Sequence, residues 1–335
     1  MKLEDLELID KQKMFTTYDN WPEIASQAFE ERFTKFDVKD VDHIVFAGMG
    51  GSGSIGDTIS AILSKKNIHV STVKGYLLPK TVDSNSLVIA TSVSGCTYET
   101  LEILKAVKKT EAKIIGFASG GIMEKYCQNN NIFFQNIPMT HSPRASFTKF
   151  LFSILNILDS VLPIKEQDIK ESISSLFNTK KNIFSGNLTK ENKALEIAEF
   201  TKGIIAVYYP AGLRAAAIRY KNCLQENAKV HSMVEDIIES SHNGIVSWER
   251  PSDVKPVLIQ GKDDHEKTLE RWKILEEFFE MKQIKFMKIN SIDGNILSKI
   301  INLNYLLDYS SIYTAILDKI DPSPVSSIDY FKSRL

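Results

Sequence analysis

Apolar residues follow two alternating spacings along the chain, and the alternation predicts strands and helices in turn. Short runs rich in β-branched residues predict strands at residues 43–47, 69–73, 86–91, 113–118 and 132–134. Between them, residues 53–64 and 97–109 carry apolar side chains at the spacing of amphipathic helices. Strands that alternate with helices in this way form parallel sheets, so we expect an α/β fold.

A second alternation follows a polar stretch at residues 165–202, which predicts a helical connector between two lobes. We therefore expect two domains, residues 1–165 and 166–335, and an extended tail from residue 321 with one terminal helical turn. The elements predicted in the second domain are strands at 203–208, 256–260 and 284–289 and helices at 212–228, 264–281 and 296–318.

Composition narrows the class of protein. A chain of 335 residues that is 43% hydrophobic and 25% charged is long enough for two globular domains. A net charge of -1 provides no basic field, so no nucleic acid partner is expected. The most apolar stretch, 147–164, is interrupted by polar residues and shorter than a membrane span, which predicts a buried amphipathic helix and no membrane partner.

The cysteines and the N-terminal residues indicate the cellular compartment in which the protein is expected. Cys96, Cys127 and Cys223 are few and lack the spacing of a zinc motif, which favours a reducing compartment. The first residues are acidic and have no apolar core of the kind found in signal peptides. We therefore expect a cytoplasmic protein.

The first predicted strand runs directly into a glycine loop, residues 48–57, with the sequence GMGGSGSIGD. The start of the following helix offers free N–H groups and partial positive charge, which suit an anion. Gly50 and Gly51 would let a phosphate approach the backbone closely, and the Ser52 hydroxyl could add a hydrogen bond. The loop therefore predicts a phosphate site.

Two other interpretations of the glycine loop remain open. Gly48, Gly50 and Gly53 also fit the G-x-G-x-x-G pattern of dinucleotide-binding folds. Such a fold usually has an acidic residue at the end of the next strand, where this chain instead has Lys74, a residue that could favour a 2′-phosphate. A purely structural glycine turn is the other interpretation.

A second loop, the serine loop at residues 92–97, follows the third predicted strand. It carries three hydroxyls, on Ser92, Ser94 and Thr97, whereas one would suffice to cap the next helix. Three hydroxyls in six residues favour a phosphate cup. Together, the two loops predict a phosphate site at the start of two neighbouring helices.

The paired loops resemble the sugar isomerase (SIS) domain, a flavodoxin-like fold that binds sugar phosphates. Four further segments resemble the bifunctional phosphoglucose/phosphomannose isomerase family: PRAS at 143–146, ENAK at 226–229, SHNGIVSWE at 241–249, and DPSPV at 321–325 with Lys332 near the end. The resemblance implies two flavodoxin-like SIS subdomains, each a parallel sheet flanked by helices, and a C-terminal tail. The chain has Val93, Cys96 and Gly244 where that family usually has an aromatic residue, Asn and Glu.

The resemblance also implies an activity, the interconversion of glucose 6-phosphate and/or mannose 6-phosphate with fructose 6-phosphate through ring opening and a cis-enediolate. No metal or nucleotide cofactor is expected. Glu226 is implied as the base, which must be close to the substrate and shielded from water. Glu235, Glu239 and Glu249 lack its Asn-Ala-Lys context, so we expect them to be structural.

Three further residues receive roles from the same resemblance. His242 is implied to act on the ring oxygen and the C1 hydroxyl, a role suited to histidine as a residue type. In the family the equivalent histidine comes from the neighbouring subunit, which implies a homodimer. Lys332 is implied to assist ring opening, and Arg144 to stabilise the enediolate.

Two alternative functions are compatible with such a fold: a sugar-phosphate-sensing SIS protein and an isomerase of another sugar or amino-sugar phosphate. Residues 1–42 are too short and acidic for a DNA-binding helix-turn-helix, and a sensor has no need of a base. The sequence leaves open whether mannose 6-phosphate is a substrate and whether Ser323 or Ser326 makes room for it.

Overall fold

The computed structural model describes residues 1–334, which form two compact units. The first unit is Asn20–Ile173, and the second unit combines Met1–Asp19 with the chain from Ser174 onward. We had expected the division at residue 165 and had placed the N-terminus in the first lobe. Asp19 instead accepts hydrogen bonds from Tyr309 (2.5 Å) and Ser185 (2.6 Å), contacts between distant parts of the chain that no local pattern indicates.

Nine strands and fourteen helices occur in residues 1–334. The strands are β1 (His43–Ala47), β2 (His69–Val73), β3 (Ser86–Ser92), β4 (Lys113–Ala118), β5 (Phe133–Asn136), β6 (Ile204–Tyr209), β7 (Ser232–Asp236), β8 (Val254–Gln260) and β9 (Met287–Asn290). The helices are α1 (Leu3–Ile9), α2 (Met14–Asp19), α3 (Trp21–Glu30), α4 (Gly50–Leu63), α5 (Tyr98–Val107), α6 (Gly121–Asn129), α7 (Phe147–Ile157), α8 (Glu166–Ile183), α9 (Lys193–Phe200), α10 (Arg214–Cys223), α11 (Ile237–Ser240), α12 (Glu266–Met281), α13 (Ile296–Leu317) and α14 (Ser326–Lys332). A π-helical turn, Leu224–Ala228, continues α10.

The sheet of the first unit is parallel, with the order β2-β1-β3-β4-β5. Every residue of β1 and β3 is buried, as expected of strands covered on both faces. Val45 and Ala47 pack in one apolar cluster with α5. Phe46 points to the other face, where it lies so close to Gly56 of α4 that a side chain on that glycine would collide with it. Helices therefore cover both faces.

The second unit repeats this design. Its parallel sheet has the order β7-β6-β8-β9, which matches the first four strands of the other sheet, and both orders are flavodoxin-like. The long helix α13 has 19 of its 22 residues buried, so it is surrounded by protein rather than lying on the surface. The predicted fold class, two flavodoxin-like parallel sheets flanked by helices, is confirmed.

Two segments differ from the predicted elements. β7 was not predicted, because its sequence, SMVED, is half polar and its residues are only partly buried at the sheet edge. The tail contains a seven-residue helix, α14, rather than a single turn, and none of its residues is buried. In residues 1–334 no helix is both long enough and apolar enough to cross a membrane.

Acid is expected to destabilise the first unit through His43. This buried side chain bonds the Ser71 hydroxyl (2.9 Å), and its ring lies 4.5 Å from that of His69. Burial and the neighbouring histidine lower the pKa of His43 in the folded protein. The unfolded chain then binds more protons below its pKa of about 6.5, so stability falls as pH drops from that value towards the folded pKa.

Urea unfolding of the wild type, His43→Gln and His231→Gln between pH 7.5 and 5 measures this effect. The exposed His231 serves as the control. We expect the pH dependence of the unfolding midpoint to weaken only in His43→Gln. An unchanged pH dependence in that variant would show that other groups are responsible.

Candidate active site

The glycine loop and the serine loop lie side by side in the first unit. From β1 the chain runs to β2 on one side and then returns to β3 on the other side of β1. The carboxyl ends of β1 and β3 therefore flank the point where strand order reverses, which is where open parallel sheets bind ligands. The topology thus places both predicted phosphate loops at one switch point.

A hydrogen bond joins the two loops directly. The Val93 amide donates to the Ser52 hydroxyl at 3.1 Å, and both residues are buried. Ser52 therefore holds the serine loop against the start of α4, in addition to any contact with an anion. The exposed position of the glycine loop is Gly50, the first residue of α4.

Within the serine loop, the hydroxyls of Ser92 and Thr97 share a hydrogen bond of 2.8 Å. Ser92 is buried, Thr97 is half-buried, and Ser94 is exposed. Neither Thr97 nor Met49, the residues that cap α5 and α4, uses its side chain to bond the helix start. The N–H groups of both first turns are thus left for another acceptor, as a phosphate cup requires.

Arg144 lies against the glycine loop. A Cβ atom on Gly51 would come within 3.0 Å of the Pro143 carbonyl oxygen and 3.1 Å of the Arg144 Cα, so only glycine lets these backbones approach. Arg144 is buried, with 4% of its surface exposed. The backbone of Arg144, a residue with a permanently charged side chain, thus lies beside the start of α4, where an anion would be favoured.

Lys74, the residue that could favour a 2′-phosphate in a dinucleotide site, forms an ion pair with Asp57 of α4. Its ammonium group therefore belongs to the packing of β2 against α4. The geometry favours a phosphate cup over a dinucleotide site.

The second unit carries Glu226 on the π-turn (Leu224–Ala228), where it is half-buried. Such turns add one residue to a helical turn and often occur at functional sites. The turn is held to α13 by Asn227, whose side-chain amide donates to the Ser311 hydroxyl at 2.8 Å. The predicted base, Glu226, thus lies on a π-helical turn that a hydrogen bond from Asn227 fixes to α13.

A buried ion pair supports the same helix. Arg219 of α10 bonds the Asp308 carboxylate of α13 through Nε at 3.0 Å, and the Cys223 thiol donates to the other carboxylate oxygen at 3.2 Å. Burial raises the pKa of the Cys223 thiol, which keeps it protonated as a donor. These contacts lie one and two turns before Glu226 and fix the end of α10 on the central helix.

His242 is exposed on a loop whose two flanks are held firmly. On one side, the Asp236 carboxylate caps α11 by accepting from the Ile238 and Glu239 amides. On the other, the Trp248 indole donates to the Tyr208 hydroxyl at 2.8 Å inside the core. These contacts fix both ends of the loop, and the side chain of His242 between them is exposed to solvent.

Gly244, where the resembling family usually has Glu, lies against the carboxylate of Glu235. A Cβ atom on Gly244 would come within 2.2 Å of Glu235 Oε2, so this carboxylate fills the space of a side chain there. Burial raises the pKa of Glu235, and Oε2 has no hydrogen-bond partner among the described residues. Nothing in the sequence marked Glu235 for this place, because β7 was not predicted.

The tail positions differ in exposure. Ser323 is buried, and its hydroxyl donates to Asp10 at 3.4 Å. Ser326, at the start of α14, and Lys332, at its end, are exposed. Tyr330 and Phe331, the two apolar residues before Lys332, are 57% and 70% exposed.

The second unit does not bring Glu226 and His242 together. Gln225, next to the base, donates to the carbonyl of Ser232, the first residue of β7. His242 follows α11, which begins directly after the last residue of β7. Four steps along a strand span about 13 Å, so the segments that carry Glu226 and His242 adjoin opposite ends of β7.

Comparison with known proteins agrees with this geometry. Residues 38–154 match the SIS domain family, and residues 190–335 match the bacterial phospho-glucose isomerase C-terminal SIS domain. A bifunctional phosphoglucose/phosphomannose isomerase of Caldicellulosiruptor bescii is 30% identical over 96% of this chain and 98% of its own length. One from Aquifex aeolicus is 30% identical over 87% and 90%.

A solved structure shows the same fold at lower identity. The C-terminal domain of glucosamine-fructose-6-phosphate aminotransferase from Francisella tularensis superposes with a TM-score of 0.69 at 18% identity, covering 91% of this chain and 95% of that domain. Two flavodoxin-like units, one with paired phosphate loops, define a protein of the sugar isomerase class. Within that class, the chain belongs to the bifunctional phosphoglucose/phosphomannose isomerase family, and it is an isomerase.

Proposed function

We propose that the protein interconverts glucose 6-phosphate and mannose 6-phosphate with fructose 6-phosphate. The observation that carries the proposal is that one chain has both a phosphate cup and a glutamate on a supported π-turn, and matches bifunctional relatives along nearly their whole length. An isomerase of another sugar or amino-sugar phosphate is the second candidate, since the phosphate cup recognises no feature of the sugar.

In this proposal the phosphate binds to the helix starts at Gly50 and Gly51 and to the hydroxyls of Ser94 and Thr97. Ser52 and Ser92, both buried, shape the cup through the hydrogen bonds between and within the loops. Holding the phosphate fixes the sugar so that C1 and C2 meet the catalytic groups, which lowers the entropic part of the barrier.

Proton transfer is assigned to Glu226. It removes the proton from C2 of the open-chain aldose and returns it to C1, while the proton of the C2 hydroxyl passes to the aldehyde oxygen on C1, so that C1 carries the hydroxyl and C2 the ketone. The intermediate enediolate is an anion, and the guanidinium of Arg144 is the group that we assign to stabilise it. Lys332 and His242 assist the earlier ring opening by exchanging protons with the ring oxygen and the C1 hydroxyl.

We propose that His242 serves the active site of a partner subunit in a homodimer. The separation of Glu226 and His242 by the length of β7 supports this division of labour, because both groups must reach one six-carbon substrate. The fixed and exposed loop that carries His242 is also suited to extend towards another chain.

Both epimers require room for rotation about C2–C3, so that either face of C2 can be protonated. Ser323 is buried and bonded to Asp10, whereas Ser326 is exposed. We therefore assign the space for mannose 6-phosphate to the neighbourhood of Ser326. We further propose that the enzyme needs no metal or nucleotide, and that it works in the cytoplasm, where its free cysteines would stay reduced.

Turnover of fructose 6-phosphate by the purified protein tests the substrate assignment. We expect both glucose 6-phosphate and mannose 6-phosphate to form in coupled assays, with KM between about 1 μM and 1 mM. Glucose 6-phosphate alone would indicate a monofunctional enzyme. A higher kcat/KM for an amino-sugar phosphate would favour the second candidate, and phosphate binding without any turnover would favour a sensor.

Mixed dimers test the assignment of His242. Glu226→Gln and His242→Asn subunits are each expected to be inactive alone. If His242 crosses to the partner, a mixed dimer contains one intact site, and random exchange of equal amounts restores about a quarter of wild-type activity. Absence of any recovery after verified subunit exchange would place His242 and Glu226 of one chain in the same site.

A further inference from the structure

We propose that Lys229 is a positioning residue that fixes the Glu226 turn and the start of the C-terminal tail to each other. The inference rests on the proposed function, because it concerns how the base and the tail lysine are held. Lys229 lies in the ENAK segment that the sequence singled out, but nothing in the sequence gave it a role.

The ammonium group of Lys229 is surrounded by backbone carbonyl oxygens. Nζ lies 2.9 Å from the Glu226 oxygen and 3.1 Å from the Asn227 oxygen, both in the π-turn. It also lies 3.1 Å from the Asp321 oxygen and 3.3 Å from the Pro322 oxygen, both at the start of the tail. Three N–H donors thus serve four acceptors from two segments that are distant in sequence.

The backbone of Lys229 has a conformation that lysine rarely adopts. Its φ and ψ are +56° and +29°, the left-handed region, and it ends the π-turn. Such residues persist where the surroundings determine the conformation, and they are frequent at functional sites. Here the left-handed turn directs the side chain back over the carbonyls of the turn that it closes. Those carbonyls lie at a helix end, where a cation is favourable.

The start of the tail also contacts the N-terminal segment of the second unit. α14 buries none of its residues, and the chain before it is held by Ser323, which bonds Asp10 and the Asp321 side chain. The point at which the tail leaves the second unit therefore determines where Lys332 can reach. Lys229 links that point directly to the main chain of Glu226.

Lys229→Gly tests this role, because glycine readily adopts the left-handed backbone and removes the side chain with its ammonium group. We expect kcat to fall at least tenfold, with KM changed less than threefold, since the phosphate cup lies in the first unit. Hydrogen exchange of the amides in residues 323–332 should become faster. Lys319→Gly is the matched control: Lys319 is also left-handed (φ +58°) and exposed, and should behave as wild type.

Chemical rescue separates positioning from a general loss of stability. Ethylammonium can occupy the carbonyl cage of Lys229→Gly and should restore part of kcat, whereas tetramethylammonium, which has no N–H donor, should not. Wild-type kcat together with unchanged tail exchange in Lys229→Gly would overturn the proposal. If the wild type turns over no sugar phosphate, the proposed function fails, and the exchange measurement still decides whether Lys229 holds the tail.

Discussion

Glu226→Gln is expected to lower kcat for isomerisation by about 10²–10⁴-fold, the usual contribution of a positioned general base. Glutamine keeps the size and hydrogen-bonding capacity of the side chain but cannot accept the C2 proton. The π-turn is held by Asn227–Ser311 and by the Arg219–Asp308 pair, neither of which involves the Glu226 side chain. The substitution should therefore remove the chemistry without altering the fold.

Three measurements on the same variant make this prediction specific. Exchange of the C2 proton with deuterium from solvent should stop, whereas interconversion of the substrate anomers, which needs only ring opening, should continue. The inhibition constant of a non-isomerisable sugar-acid phosphate should stay near the wild-type value. Glu249→Gln, at an exposed carboxylate of the same unit, is the control. Equal losses of inhibitor binding and turnover would contradict the assignment of Glu226 as the base.

Arg219→Met is expected to lower the free energy of unfolding by about 3–5 kcal/mol, the range for breaking a buried ion pair. Arg219 and Asp308 have 2% and 0% of their side-chain surfaces exposed, so water cannot replace the lost guanidinium. The Asp308 carboxylate would keep only the weak thiol donor of Cys223. The pair joins α10 to α13, so its loss also loosens the helix that carries Glu226.

The double variant Arg219→Met/Asp308→Leu distinguishes an unpaired charge from a cavity. Replacing both partners by apolar side chains should recover most of the lost stability. Burial already raises the pKa of Asp308 above its unfolded value of about 3.9, and loss of the guanidinium, which lowers it, should raise it further in the single variant. Stability is then retained below that pH and lost as pH rises through the folded pKa. Urea unfolding at pH 4 and pH 7 measures the free energy of unfolding of both variants and its dependence on pH. Equal losses of unfolding free energy in the single and double variants would contradict the assignment to an unpaired charge.

Much of the fold could be predicted from local sequence. The bounds of β1, β2 and β4 agree with the predicted strands. β1 is a buried run that is apolar after His43, whereas β2 lies at the sheet edge and was recognised by its β-branched residues. β7 escaped prediction because an edge strand with acidic residues has no such run. α14 was underestimated for a similar reason, since a helix without buried residues needs no apolar face.

In the candidate site, too, local features could be predicted from the sequence, whereas contacts between distant residues could not. The serine loop and the glycine loop could be recognised because a phosphate cup needs small residues and hydroxyls that are contiguous in sequence. Their attachment through Val93 and Ser52 could not, because a hydrogen bond between residues 41 positions apart leaves no local pattern. The approach of Arg144 to Gly51 is equally invisible in the sequence, since it depends on the packing of two backbones.

By itself, the sequence determined most of the strands and helices and the two phosphate loops, because these follow from spacing and residue type over a few positions. The candidates Glu226, His242, Lys332 and Arg144 came from the resemblance of their segments to the isomerase family. The tertiary structure alone decided which distant segments lie together. It joined residues 1–19 to the second unit, placed Glu226 and His242 at opposite ends of β7, and gathered four carbonyls around Lys229. Those outcomes depend on long-range packing, to which every element of a unit contributes.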